Sequence, residues 1–299
     1  MSVMNNLPRI EQISDDAYFG DTTAISRTML NDFRKSPRHY QAWYVTKTLI
    51  RPEPENPRVA IGTVCHAALL QPDKFEELVE IIPPPPHGPL TSDGKKWGKK
   101  WDTFVAERPG KILLKEKELA VATRMRDAVL EHFGKLLLRA THIEQVVTWE
   151  DEASGLLLKC KPDALVLVSD PDNPTVIAQA FCLDLKTTGD VSPAQFTKRV
   201  EQGDLWMQDA HYCAGVRALT VCEQNPTGIE PDFIYLAVDE TGNPPLAARL
   251  DYQSRLSARE VYAETLSRLV RCIATDDWSC PWEGDIQELS LKPWCFTNG

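Results

Sequence analysis

Residues 176–188 read VIAQAFCLDLKTT, a run of β-branched, aromatic and aliphatic residues that ends in charged side chains. Its apolar part is typical of a buried β-strand. Side chains two residues apart on a strand point to the same face, so Asp184 and Lys186 are predicted to share one face, with Leu183 and Leu185 on the other. Charged residues are rare in an apolar strand unless they are paired or serve a function. The end of this strand is therefore a candidate functional site.

A second aspartate lies in the preceding apolar run, KCKPDALVLV at 159–168, and SDPDNPT at 169–175 predicts a turn between the two runs. If the runs form a hairpin, Asp163 and Asp184 can converge. Converging carboxylates repel each other unless a proton or cation lies between them, and oxygen ligands favour Mg²⁺ or Mn²⁺. Lys186 could then orient a water molecule and offset charge on an attacked phosphate. This chemistry is metal-assisted phosphodiester hydrolysis, although an isolated Asp-x-Lys is more often a surface ion pair.

The composition of the 299-residue chain, 42% hydrophobic and 25% charged, is that of an ordinary globular protein. No apolar run approaches the ~20 residues of a membrane helix. The start, MSVMNNLPRIEQ, lacks the basic and apolar regions of a secretory signal, so we expect a cytoplasmic protein without membrane contact. The net charge of -10 argues against nucleic-acid binding by the whole surface. It does not exclude a basic groove on an acidic body.

The eight cysteines include no C-x-x-C pair. We predict reduced, mostly buried thiols in a reducing compartment. The alternative is an iron–sulfur cluster that uses Cys65 and some of the last three cysteines, and the spacing supports it poorly. Those three are Cys272, Cys280 and Cys295.

The order of the predicted elements is helices, then strands, then helix, strands and helix, which indicates a mixed α/β fold. The first three predicted strands form an antiparallel meander. The predicted strands are 143–151, 156–169, 175–188, 231–240 and 246–252. The predicted helices are 24–34 with Ser26 as N-cap, a helix from Pro37, a helix that carries His66 and ends near Pro72, a short helix after it, 95–107, 115–133, 204–219 and 257–273.

Several motifs together resemble the PD-(D/E)XK nuclease superfamily. Asp163 in KPD matches its first acidic position, and Asp184 and Lys186 in LDLKTT match its (D/E)XK, with Asp where Glu is common. Three further segments resemble its RecB-like branch, especially phage and prophage exonucleases of the exonuclease VIII (RecE) type. These are the histidine motif IGTVCHAALLQPDKF at 61–75, the Q-x-x-x-Y motif in WMQDAHYCAGV at 206–216, and the opening segment AISRTMLNDFRKSPRHY at 24–40.

The resemblance spans about residues 20 to 295, including the tail at 276–294, and implies a fold and a set of site residues. The fold would be a PD-(D/E)XK core, a central mixed sheet with an antiparallel meander flanked by helices, after a helical N-terminal region. Residues 1–20 would be a tail and 21–299 a single exonuclease domain, helical to about 140. The implied metal ligands for Mg²⁺ or Mn²⁺ are His66, Asp163, Asp184 and the Leu185 carbonyl, while Lys186 activates water and Gln208 and Tyr212 align the phosphate.

The same resemblance implies an activity and partners. The activity would be a processive 5′-to-3′ exonuclease on linear double-stranded DNA that leaves single strands for recombination. The partners would be double-stranded DNA ends, further copies of the chain in a ring, and a single-strand annealing protein of the RecT type. One alternative is a RecB-family nuclease with an iron–sulfur cluster, and another is a module on the same fold that binds DNA or protein without cutting.

A basic and aromatic stretch, KKWGKKW at 95–101, is a candidate DNA-binding element. On one helix its lysines and tryptophans would form i,i+4 pairs, with lysines on phosphates and tryptophans against bases or sugars. The alternative is a solvated helix whose tryptophans pack on the core. The predicted DNA-binding residues are Lys95, Lys96, Trp97, Lys99, Lys100 and Trp101, with a weaker patch at Arg34 and Arg38.

Three further residues have more than one interpretation on sequence grounds. Without its motif, His66 would be read as a core histidine. Glu144 is either a further site carboxylate or the cap of a strand edge, and His211 is expected to be structural or peripheral.

Overall fold

The computed structural model describes residues 8–52, 59–284 and 286–290. Its strands are β1 (Arg9–Glu11), β2 (Val79–Ile81), β3 (Ile112–Leu114), β4 (His142–Ile143), β5 (Val146–Glu150), β6 (Leu157–Cys160), β7 (Ala164–Ser169), β8 (Ile177–Thr188), β9 (Asp232–Asp239) and β10 (Leu246–Ala248). Its helices are α1 (Asp15–Gly20), α2 (Arg27–Lys35), α3 (Pro37–Tyr40) with a π-helical turn at Gln41–Val45, α4 (Val59–Leu70), α5 (Pro72–Leu78), α6 (Lys99–Ala106), α7 (Glu116–Leu137), α8 (Pro193–Gln202), α9 (Leu205–Leu219) and α10 (Tyr252–Thr275).

The main sheet has the strand order β10–β9–β8–β7–β4. β8 and β9 run parallel, and the other neighbours are antiparallel. Helices cover both faces: α2, α9 and α10 on one, and α4 and α7 on the other. The predicted mixed α/β class with a central mixed sheet is confirmed.

β8 outruns its antiparallel neighbour in this sheet. It pairs with β9 from Phe181 to Thr188, whereas its pairing with β7 ends where Leu183 faces Ala164. Within the described residues, the remaining part of β8 therefore has no strand on its β7 side. The backbone groups on that edge need side chains, water or ligands as partners.

The alternation predicted for β8 is also confirmed. Cys182 joins the core cluster beneath α9 and α10. Leu183 and Leu185 pack instead with Cys65 of α4 and Met125 of α7. The strand thus presents its charged side chains toward α9 and its leucines toward α4 and α7, because successive side chains on a strand point to opposite faces.

The prediction of one three-stranded meander is wrong in detail. The run 156–169 is divided into β6 and β7, and the hairpins β5–β6 and β7–β8 lie in different sheets. The division occurs at Lys161, Pro162 and Asp163. Proline has no N–H to donate to a ladder, so the chain leaves one sheet and enters the other at this point.

The first residues of the described chain are packed onto the fold. β1 pairs with β5 to make the sheet β1–β5–β6, and Tyr18 of α1 is buried. Residues 8–20 are therefore not the tail that was predicted, because β1 completes the edge of a sheet. Residues 1–7 lie outside the described residues.

Most predicted helices are present, with differences at their ends. Ser26 caps α2 through its side chain and Pro37 opens α3, as predicted. The helix predicted over 95–107 begins only at Lys99, because Gly98 adopts φ +90°. α1 and α8 are additional helices that were not predicted. None of the described helices is both long and apolar enough to cross a bilayer.

The cysteines within the described residues are free, and most are buried, as predicted. Cys65 packs in the cluster under α4, whereas Cys272 packs against the cluster on the other face of the sheet. The described cysteines therefore do not gather into the ligand set that the iron–sulfur alternative requires. Cys295 lies outside the described residues.

Candidate active site

The free edge of β8 is covered by two side chains. Asp163 directly precedes β7, and its Oδ2 accepts a hydrogen bond from Leu185 N at 2.6 Å. The Nε2 of His66, from α4, lies 2.9 Å from Leu185 O and 3.7 Å from Asp163 Oδ2. The structure thus brings together three of the predicted ligands, an imidazole, a carboxylate and a backbone carbonyl. We call these residues, with Glu144, Asp184 and Lys186, the β8-edge site.

A close approach of α4 to β8 places the histidine at this edge. Gly62 lies one turn before His66, and a Cβ built at Gly62 would stand 2.6 Å from Thr187 Oγ1. Ile61 and Cys65 pack into the core below and fix the helix. The His66 side chain stays 30% exposed, so it is not the buried core histidine of the alternative interpretation.

Asp184 and Lys186 share a face as predicted. Lys186 Nζ lies 2.5 Å from Asp184 Oδ2, and Gln208 of α9 donates from Nε2 to Asp184 Oδ1 at 2.5 Å. Asp184 and Gln208 are both buried. Each oxygen of Asp184 thus already contacts a neighbour, and its role as a metal ligand stays a prediction.

Tyr212, the second residue of the Q-x-x-x-Y motif, is also buried. Tyr212 lies one helical turn after Gln208, and its ring packs edge to face on Phe233 at 6.0 Å. Burial raises the pKa of Tyr212 well above its usual value, so the phenol stays protonated and can donate.

His211 is fully buried, with Nε2 2.9 Å from Lys159 O, and burial lowers the pKa of His211 to about 4. The structure thus buries His211, and its expected structural or peripheral role stays a prediction.

Glu144 joins the site, although the sequence left its role open. Within the described residues, the only group of three or more His, Cys, Asp or Glu side chains with mutually close ligand atoms is His66, Glu144 and Asp163, all within 4.8 Å. Glu144 follows the two-residue strand β4, which pairs with β7 through Ile143 and Ala164. So short a strand gives no periodic signal in the sequence, and only the long-range pairing reveals the neighbourhood.

The electrostatics of the site favour a bound cation. Burial raises the pKa of Asp163 to about 6; His66 opposes this shift, and the nearby acids Asp184 and Glu144 add to it. The carboxyl group of Asp163 is only 17% exposed. A cation among these acids would offset their mutual repulsion and stabilise the ionised form of Asp163.

The donor set fits a divalent ion of the Mg²⁺ or Mn²⁺ type. Carboxylate and carbonyl oxygens with one imidazole are ligands that these ions accept. His66 Nε2 is within hydrogen-bond distance of Leu185 O, a bond that needs its proton. Ligation through Nε2 needs the lone pair instead, so the proton would then sit on Nδ1.

The stretch at 95–101 does not present the single helical face that was predicted. Because α6 begins at Lys99, the i,i+4 pairs cannot form on one helix. Lys96 Nζ donates to Glu118 Oε2 at 3.0 Å, and Trp101 is half-buried. The side chains of this stretch that remain exposed are Lys95, Trp97, Lys99 and Lys100.

The weaker basic patch already has partners within the chain. Arg34 lies 3.5 Å from Asp204 Oδ1 and stacks over the Trp206 ring at 4.6 Å. Arg38 donates from Nε to Glu283 Oε2 at 2.8 Å. DNA phosphates would have to compete with these carboxylates, so both arginines stay predictions as DNA contacts.

The sequence from residue 26 to residue 283 matches the family model described as a PDDEXK-like domain of unknown function, DUF3799. The chain belongs to this family. The predicted membership of the PD-(D/E)XK nuclease superfamily is confirmed. This membership supports a nuclease function for the chain. The matched segment of this PDDEXK-like chain contains the whole β8-edge site.

Solved structures resemble this PDDEXK-like chain at low sequence identity. A protein from Eubacterium rectale, named as a putative exonuclease, has a TM-score of 0.56 and 12% identity over 96% of this chain and 99% of its own. That likeness shows a shared fold. Protein VC1899 from Vibrio cholerae has a TM-score of 0.24 and 9% identity over 91% of this chain and 60% of its own. No curated protein sequence matches the chain.

Proposed function

We propose that this PDDEXK-like protein is a divalent-metal-dependent exodeoxyribonuclease that hydrolyses phosphodiester bonds at the ends of linear double-stranded DNA. The observation that carries the proposal is the convergence of His66, Asp163 and the Leu185 carbonyl beside the Asp184–Lys186 pair. This arrangement joins ligands for a hard cation to an ammonium group that can act on a phosphate. Mg²⁺ or Mn²⁺ is the proposed ion.

The positions of the side chains suggest their roles. His66, Asp163, Glu144 and Leu185 O would hold the ion, which when bound polarises a phosphate oxygen and lowers the pKa of a water molecule. Lys186, 17% exposed, would orient the attacking water and offset the charge that develops on the phosphate.

Asp184 and the motif on α9 would support this chemistry. Asp184 keeps the Lys186 ammonium in place through their 2.5 Å contact, and Gln208 fixes the Asp184 carboxylate. Gln208 Oε1 is buried and lacks a hydrogen-bond partner among the described residues, so it can accept from a water molecule. Tyr212 would donate to the phosphate.

The finer features of the proposal rest on the resemblance to the exonuclease VIII type. They are processive 5′-to-3′ digestion, a ring of identical chains, and an annealing protein as partner in recombination. Action in the cytoplasm is a separate part of the proposal and does not come from that resemblance. The formal net charge of -10 is compatible with a DNA-binding surface enclosed within such a ring.

The test is digestion of linear duplex DNA that carries a label at one 5′ end. The natural protein is incubated with Mg²⁺, with Mn²⁺ or with EDTA, beside a covalently closed circle. We expect metal-dependent loss of the linear DNA while the circle survives. Early release of the label as mononucleotide would establish the 5′-to-3′ direction.

Variants connect that activity to the site. Lys186→Met and Asp163→Asn are expected to lower the rate at least about a hundredfold, since each removes a charge used in the reaction. Lys198→Met, at an exposed lysine of α8, is the matched control and should digest normally. Circular dichroism verifies that each variant is folded. Linear DNA that survives every metal tried, or full activity in Lys186→Met, would overturn the proposal.

A further inference from the structure

An ammonium group already occupies one side of the β8-edge site. Lys161 Nζ lies 2.5 Å from Glu144 Oε2 and 2.6 Å from Asp15 Oδ1. The Lys161 and Glu144 side chains are largely buried, at 13% and 15% exposed, whereas Asp15 is 67% exposed. Lys161 therefore lies between an inner and an outer carboxylate, and only the inner one belongs to the group of possible metal ligands.

The backbone around Glu144 is held in an uncommon conformation. Glu144 has φ +53°, in the left-handed region that non-glycine residues seldom adopt. Its N–H donates to Asp163 O at 3.1 Å, and its carbonyl accepts from Gln12 Nε2 at 3.3 Å. Contacts from both sides thus fix the backbone of a residue whose carboxylate points at a lysine. A residue kept in this conformation by its surroundings is a candidate for a functional role.

The N-terminal segment contributes directly to this arrangement. Gln12 and Asp15 follow β1, which pairs with β5, and Asp15 lies in the first turn of α1. Within residues 8–20, Gln12 therefore contacts the backbone of Glu144, and Asp15 contacts Lys161, the counterion of Glu144. The site is completed by a part of the chain far from the motifs in sequence.

We propose that Lys161 is an internal counterion that takes the place of the metal at Glu144 and transfers to Asp15 when a divalent ion binds. This inference rests on the proposed function, because it concerns the metal centre of that nuclease. Glu144 would then become a ligand of the metal when the divalent ion displaces the Lys161 ammonium group from its carboxylate. The N-terminal segment would set how readily the site accepts its metal.

The physical argument is a competition between two cations for one carboxylate. A largely buried carboxylate without a cation is costly, and Lys161 removes that cost before metal arrives. A divalent ion at Glu144 would repel the ammonium group at this short range. The exposed Asp15 offers Lys161 a second partner within reach, so the lysine need not lose all its pairing when it leaves Glu144.

The experiment measures Mn²⁺ binding by electron paramagnetic resonance on the full chain, without DNA. We expect Lys161→Met to bind Mn²⁺ at least about fivefold more tightly, because the competing charge is gone. Asp15→Asn should bind about threefold more weakly, because Lys161 then stays on Glu144. Glu144→Gln should bind Mn²⁺ up to about tenfold more weakly, because a ligand is lost.

The double variant separates this exchange from a general structural effect. If Asp15 acts only through Lys161, then Asp15→Asn combined with Lys161→Met should bind Mn²⁺ like Lys161→Met alone. Lys161→Gln replaces Lys161→Met if the latter does not fold. Lys95→Met is the matched control, since Lys95 pairs with Asp93 at 2.7 Å on the surface and should not change the affinity.

The outcomes distinguish the two proposals. Unchanged or weaker Mn²⁺ binding in Lys161→Met, or independent effects in the double variant, would overturn the counterion role. Asp163→Asn tests the centre itself: if it binds Mn²⁺ as well as the natural protein does, or if neither binds, the proposed nuclease centre fails along with this inference. If Asp163→Asn loses Mn²⁺ binding while Lys161→Met binds Mn²⁺ like the natural protein, the proposed function stands and only the exchange is refuted.

Discussion

Two regions of this protein bury an aspartate beside a basic side chain, and they do so differently. In the β8-edge site, Asp184 contacts Lys186 Nζ at 2.5 Å. On another side of α9, Asp209 lies 3.4 Å from Arg255 Nε. Both aspartates are only 1% exposed. We call the second region the arginine cluster; it comprises Asp209, Arg217, Glu230, Arg255 and Arg259.

The difference lies in what surrounds each pair. In the arginine cluster, three guanidinium groups meet Glu230, and Arg255 also donates to Pro231 O at 2.7 Å, so α9 and α10 are joined through rigid forks. In the β8-edge site, acids outnumber bases, and a histidine and the Leu185 carbonyl, 2.9 Å apart, converge with them. Charges that pair with one another join elements, whereas acids that gather with further ligands are suited to binding a cation.

Burial also has a common consequence in both regions. It raises the pKa of Asp209, with Arg255 opposing the shift, just as it raises that of Asp163. A shifted carboxyl group is therefore not by itself a sign of catalysis, because an interior ion pair produces one too. The distinguishing sign is the convergence of further ligands.

The strongest test of the comparison removes the arginine side of the interior pair. Arg255→Met leaves Asp209 buried without its cation, so the free energy of unfolding should fall by about 3 kcal/mol. Urea denaturation measures this change. Arg249→Met is the control: Arg249 is 67% exposed and pairs with Asp232 at 2.9 Å, so the loss should be under about 1 kcal/mol. A change in Mn²⁺ affinity with Arg255→Met would break the distinction between the regions.

A smaller effect, of opposite sign, is expected at Asp163. Its pKa is about 6 in the folded protein against an ordinary 3.8, so between these pH values the folded state keeps a proton that the unfolded chain releases. Without metal, stability is thus lost as pH rises from about 4 to about 6, and the penalty persists above that range. Asp163→Asn should therefore be more stable than the natural protein by about 1 to 3 kcal/mol at pH 8 in EDTA.

The pH dependence supplies the control for this prediction. Below about pH 4 both forms of residue 163 are neutral, and the difference in unfolding free energy should vanish. Saturating Mn²⁺ at pH 8 should reverse the order, because only the natural protein gains binding energy. A variant that is less stable than the natural protein in EDTA at pH 8 would contradict the assignment of burial as the cause.

The smallest effects are expected from two glycines at which helices meet strands. At Gly215 of α9 an added Cβ would lie 2.6 Å from the Trp149 ring, so Gly215→Ala should destabilise by about 1 to 2 kcal/mol with unchanged Mn²⁺ affinity. At Gly62 the added Cβ would crowd Thr187 Oγ1 at 2.6 Å, and this hydroxyl can rotate away. Gly62→Ala should cost under about 1 kcal/mol but weaken Mn²⁺ binding through His66. Equal effects of both variants on Mn²⁺ affinity would refute this contrast.

Much of the site could be predicted where its geometry is local. The pairing of Asp184 with Lys186 follows from the two-residue period of a strand, and the joint face of Gln208 and Tyr212 follows from the period of a helix. The start of α2 at Ser26 follows from capping chemistry. The structure has these features where the sequence indicates them.

Other features depended on residues distant in sequence. The place of Glu144 in the site requires the pairing of β4 with β7, and Lys161 meets Asp15 only because β1 pairs with β5. The helix expected over 95–107 failed for a local reason, since Gly98 takes a left-handed φ that other residues rarely adopt. The hydrophobic pattern alone does not specify that choice.

The sequence by itself determined which side chains share a face, because strand and helix periods are set by backbone geometry over a few residues. Only the tertiary structure decided that β8 extends past β7, and that Asp163 and His66 cover the backbone it leaves open. The reason is physical: buried N–H and C=O groups must find partners, and which side chains can reach them depends on how distant segments pack.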